Sequence, residues 1–173
     1  NEEEMILLDR KYKNFIRGGA GLDDAGKERF REITVELSSL SLKFEENVLA
    51  ETNDFTLHLT DEDALAGLPE GVREAAAALA GEKGMKGWLF SLHAPSFVPF
   101  MQYADRRDLR EELFRAYSCR AFRGNTHDNR DLVLRIAELR LEMARLLGFK
   151  NYAAYALEER MASTPEEVNR FLA

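Results

Sequence analysis

Three histidines, one cysteine and one dense run of arginine and aspartate are the residues of this chain whose types could do chemistry. A zinc site needs three or four ligands, and two of them usually stand close in sequence so that one turn or loop presents both. His58, His93 and His127 are separated by 35 and 34 residues, and none has a glutamate at ligand or base spacing. No metal ligand is assigned to them. His127 lies in Asn125-Thr126-His127-Asp128-Asn129, where a helix begins, and fits a capping role better than a catalytic one. Asn125, Asn129 and Asp131 have a calcium-loop flavour, but the glycine and the terminal bidentate glutamate of such a loop are missing.

Cys119 stands between Ser118 and Arg120 on an expected helix, where a lone cysteine is a small core residue unless a histidine is placed beside it. The glycines at 18–21 and 84–87 do not join a strand to a long helix as a phosphate loop does, so they read as turns. Glu111-Glu112 and Glu158-Glu159 lie near arginines at helical spacing and read as solvated faces. In Asp105-Arg106-Arg107-Asp108 an arginine could grip a terminal carboxylate, yet the alternating acids are expected to neutralise it. The catalytic, cofactor-binding and metal sets are therefore all expected to be empty.

The chain has 173 residues, enough to bury a core, and 24 Lys+Arg against 31 Asp+Glu leave a net charge of −7. Interleaved acids make nucleic acid an unexpected partner, and no apolar run is long enough to span a bilayer. A single cysteine suits a reducing, cytoplasmic setting. The sequence opens Asn1-Glu2-Glu3-Glu4 without an initiator Met and stops at Ala173 inside a helix begun at Thr164-Pro165-Glu166-Glu167, a capping-box pattern. We expect one helical domain over 1–173, cut at both ends from a longer protein. A face left bare by such a cut should make the isolated chain self-associate.

Periodicity supplies the elements that must carry these residues. The first helix is expected over about 2–17, ended by Gly18-Gly19. A second, antiparallel to it, runs from Asp23 or Asp24 to about Thr52, with Phe30, Ile33, Leu37, Leu40, Phe44 and Val48 on one stripe. Residues 55–59 and 88–92 are β-prone and should pair as an antiparallel ribbon, since neither is stable alone. Short helices follow from the caps at 60–63 and Pro69, and further helices are expected over 96–104, 107–122 and 128–147. Gly148 ends the last of these, and Asn151 then caps a helix carrying Tyr152, Tyr155, Ala156 and Met161. The fold class is mainly α, an antiparallel multi-helix domain with a small two-stranded β ribbon.

Residues 132–165, LVLRIAELRLEMARLLGFKNYAAYALEERMASTP, resemble the M3 family of zinc metallopeptidases, in its peptidyl-dipeptidase (dipeptidyl carboxypeptidase) and oligopeptidase A branch. The resemblance extends back through Arg107, Arg110-Glu111, Ala116-Tyr117 and Arg120 to Trp88, Leu92 and Pro95. It implies a large helical enzyme whose channel admits short peptides, with zinc held by a His-Glu-x-x-His helix that polarises the scissile carbonyl and activates water. That motif is absent from these 173 residues. The resemblance thus implies an inactive wall segment, with zinc and short peptides belonging to the complete enzyme. A self-standing helical interaction module and a metal-less regulatory homologue are the alternatives, and the sequence downstream of Ala173 separates them.

Overall fold

The structure, a computed structural model, describes residues 1–173. It contains eight α-helices and a two-stranded antiparallel sheet, in the order α1 (Glu2–Arg17), α2 (Asp24–Asp54), β1 (Thr56–Leu59), a 3-10 turn (Glu62–Leu65), α3 (Glu70–Glu82), β2 (Trp88–Ser91), α4 (Ala94–Tyr103), α5 (Arg107–Ser118), α6 (Arg130–Leu146), α7 (Tyr152–Leu157) and α8 (Pro165–Leu172). No helix is long and apolar enough to cross a membrane. Two compact units emerge, one of residues 1–43 and 131–173 and the other of residues 44–130.

The 44–130 unit is built on the expected ribbon. Thr56 faces Ser91, Leu57 faces Phe90, His58 faces Leu89 and Leu59 faces Trp88. Alternation along β1 sends Leu57 and Leu59 inward and leaves Thr56 and His58 in solvent, the period-two pattern of a half-buried strand. Gly87 makes the close approach of the strands possible: its φ is +97°, and a Cβ there would run into the Leu59 carbonyl oxygen. Helix α3 packs on β2, and α4 meets α3, β2 and α5. Leu65, Leu68, Phe90, Leu92, Phe100 and Leu113 join the strand leucines in one continuous core. Phe90 and Phe100 meet edge to face, with ring centroids 4.6 Å apart.

The other unit is organised by charge pairs along helices. Asn1 closes a full capping box with Glu4 at the start of α1. At the far end of that helix, Arg17 donates to the Tyr155 carbonyl at 2.9 Å and to Glu158 at 2.6 Å, with its guanidinium 4.0 Å from the Tyr155 ring centre. Helix α1 is thus tied to α7, and none of its own residues is buried. Between α2 and α6 two forked pairs run in opposite senses, Arg29 to Glu142 at 2.7 and 2.8 Å and Arg135 to Glu36 at 2.6 and 3.0 Å. Ile33, Leu139 and Ala144 are the buried hydrophobic residues of this unit.

Several expectations are corrected here. Helix α5 stops at Ser118, not at 122, because Ala121 adopts a φ of +54° and turns the chain. Phe122 consequently leaves the apolar stripe and lies exposed beneath the Arg130 guanidinium. Helix α7 ends at Leu157, and Met161, expected on that helix, lies beyond it, fully exposed ahead of Ser163 at φ +52°. Helix α4 begins two residues early, with Pro95 in its first turn, where a missing N–H costs nothing. The capping box at α8 is half made: Thr164 accepts from the Glu167 N–H at 3.2 Å, while the Glu167 carboxylate turns to Arg170.

Candidate functional site

The chemically capable residues lie in the 44–130 unit. Nε2 of His58 lies 2.8 Å from the Lys86 carbonyl oxygen, which ties the ring to the turn before β2. His93 is exposed at the head of α4, makes no side-chain cap, and edges an apolar groove formed with Val72, Ala75, Leu79 and Leu89. His127 supplies only its backbone N–H, donated to Asn125 Oδ1 at 3.0 Å, and the capping expected of it is done by Asp128. Asp128 Oδ1 accepts from the Arg130 backbone N–H and from its Nε, each at 2.9 Å. Those bonds, and a further one from the Gly124 N–H, hold the Asp128 carboxyl down at about 2. No group of three or more His, Cys, Asp or Glu side chains is arranged to hold a metal ion.

Cys119, expected in the core, instead lies exposed at the C-cap of α5. Its position follows from the early end of that helix.

A cluster that sequence reasoning missed fastens the 119–129 loop to α2. Asn47 Nδ2 donates to Asn129 Oδ1 at 2.8 Å, and Asn129 Nδ2 donates to the Phe44 carbonyl at 3.1 Å. Asn125 Nδ2 donates to Glu51 Oε1 at 2.5 Å, while Arg123 Nε lies 3.3 Å from Oε2, within ion-pair reach but not aligned for a hydrogen bond. Arg120 reaches Thr52 Oγ1 at 2.7 Å. Asn47, Glu51, Thr52 and Asn129 are the buried polar residues of the chain. The available signal was Asn47 and Glu51, one turn apart on the inward side of α2 beside Phe44 and Val48.

The Asp105-Arg106-Arg107-Asp108 run resolves unevenly. Arg106 takes Asp108 in a forked pair at 2.9 and 2.6 Å, which lowers the Asp108 carboxyl to about 2. Arg110 donates to the Ala104 and Asp105 carbonyl oxygens. Arg107 is left without an acid, and with Arg110, Glu111, Phe114 and Met101 it borders an open concavity. The expected neutralisation therefore reaches one arginine of the two.

Residues 100–173 match the profile of peptidase family M3. Oligopeptidase A of Escherichia coli is 40% identical over 176 residues, covering 99% of this chain and 26% of that protein. Dipeptidyl carboxypeptidase of Salmonella typhimurium is 34% identical over 173 residues, with 99% and 25% covered, and saccharolysin of Saccharomyces cerevisiae is 26% identical over 172 residues, with 98% and 23% covered. The chain spans about a quarter of the length of the curated relatives it matches. With the helical fold and ribbon in place, the chain is similar to peptidase family M3 over residues 100–173 and to oligopeptidase A and dipeptidyl carboxypeptidase along nearly its whole length.

Proposed function

We propose that this chain is a non-catalytic helical segment of a zinc-dependent M3 peptidyl-dipeptidase or oligopeptidase, forming part of the channel wall past which short peptides reach the catalytic centre. The observation that supports it is a match along 99% of the chain to about a quarter of oligopeptidase A. The residues present do not fit zinc, since His58 is bonded to a backbone carbonyl and no group of three or more His, Cys, Asp or Glu side chains is arranged to hold a metal ion. No step of peptide hydrolysis is therefore assigned to a residue of this chain.

Determining the encoded sequence beyond Ala173 tests the reading. A His-Glu-x-x-His helix is expected there, and the longer protein should bind zinc and cleave short peptides, while the dialysed 173-residue chain does neither. One tightly held zinc per 173-residue chain, or a downstream sequence without the motif, overturns it. In the cell we place the parent protein in the cytoplasm, where a free exposed Cys119 is stable as a thiol. The isolated chain self-associates through apolar faces on α1 and α8, where Leu8, Phe15, Phe171 and Leu172 stand in solvent.

A further inference from the structure

We propose that the concavity bordered by Met101, Arg107, Arg110 and Phe114 binds a carboxylate carried beside an apolar side chain, its occupant being the free C-terminus of a short peptide. Arg106 is matched by Asp108, Arg115 by Glu111, Arg123 by Glu51 and Arg130 by Asp128. Arg107 and Arg110 have no acid, in a chain whose net charge is −7. They stand one helical turn apart on α5, so their side chains leave the same face.

Arg110 is already oriented, because two backbone carbonyls hold one of its nitrogens while the rest of the fork remains available. Glu111 also borders the concavity, and its Oε1 is engaged by Arg115 at 2.8 Å, so its charge is offset from the far side. The apolar wall is Phe114, 54% exposed, with the half-buried Met101 beside it. Two unmatched cations next to an open aromatic ring define the ligand: an anion with a hydrophobic group close to it. In a terminal residue of a peptide, side chain and carboxylate leave the same carbon, which suits a site this small. A surface glutamate of a folded partner carries no such apolar group. The choice of a peptide as carrier rests on the channel-wall reading; the requirement for a carboxylate rests on the arginines alone.

The test is titration of the 173-residue chain, followed by NMR, with acetyl-Ala-Ala-Leu and with its C-terminal amide. The acid is expected to bind about tenfold more tightly than the amide, the usual scale for a charge-assisted hydrogen bond. Shifts should concentrate at Met101, Arg107, Arg110 and Phe114. Arg107→Gln breaks no hydrogen bond or ion pair in the structure and should erase the preference for the acid, whereas Arg145→Gln, on α6, should leave it intact. Equal binding of acid and amide, no binding of the acid at millimolar concentration, or an undiminished preference in Arg107→Gln would each overturn the site. Any of these would leave the wall reading standing, because that reading is decided by the sequence beyond Ala173.

Discussion

Residues 44–130 close around their own core, whereas residues 1–43 with 131–173 bury few of their large apolar side chains and leave many of them in solvent. In the first unit Phe90, Phe100, Leu65, Leu89, Leu92 and Leu113 are sealed from solvent. In the second, Met5, Leu7, Leu8, Tyr12, Phe15, Leu134, Phe171 and Leu172 are all more than half exposed, and only Ile33, Leu139 and Ala144 are buried hydrophobics. The difference lies in what the helices have to pack on. A ribbon gives α3 and α4 a flat apolar surface, with α5 against α4, while charged pairs tie α1 to α7 and α2 to α6 and contribute about 0–1 kcal/mol per exposed pair.

The comparison breaks most readily at Phe100. Phe100→Ala should lower the stability of the 44–130 unit by about 3–5 kcal/mol, because it leaves a cavity against Phe90. Urea unfolding followed by the fluorescence of Trp88, in the same core, reads this directly. A loss under about 1 kcal/mol would mean that the core is not what holds the unit. Gly87→Ala comes next, at roughly 2 kcal/mol, since it forces a Cβ into a left-handed residue and against the Leu59 carbonyl. Gly71→Ala is the control, because nothing lies within contact distance of its new methyl.

In the charge-bound unit the expected effects are smaller. A double-mutant cycle on Arg29 and Glu142 should give a coupling of no more than about 1 kcal/mol, reduced further by salt. Its pH dependence has a definite sign. Hydrogen bonding from Arg29 holds the Glu142 carboxyl below its ordinary 4.5, and Arg135 does the same for Glu36. Their contribution is complete above that ordinary value and disappears as pH falls through the lowered one. Melting curves should therefore show the parent chain losing stability in acid more steeply than a Glu36→Gln, Glu142→Gln double variant. Parallel acid profiles would remove these pairs from the account.

Much of the order of helices and strands was legible in the sequence, which was read as one domain and not as two units, and the omissions have physical causes. Glycine and cap signals fixed α1 and α6 closely, and β-prone composition placed the ribbon. The end of α5 was missed because Ala121 takes a left-handed backbone conformation usually marked by glycine. The partition of charge among Arg106, Arg107 and Arg110 was also hidden, since a run of mixed sign says nothing about which acid each fork reaches. Asn47 and Glu51 found partners 82 and 74 residues away, a distance at which local pattern carries no information.

The fastening of the 119–129 loop bears on how proteases see this chain. Arg120, Arg123 and Arg130 make the segment look like an ideal trypsin substrate, irregular and rich in cleavable bonds. A protease, however, needs its substrate segment locally unfolded, and here Asn125 and Asn129 would first have to leave Glu51, Asn47 and the Phe44 carbonyl. Cutting in this loop should then track opening of the whole 44–130 unit, while the exposed α1 and α8 are nicked early. An irregular loop becomes, in effect, one of the last places at which the chain is digested.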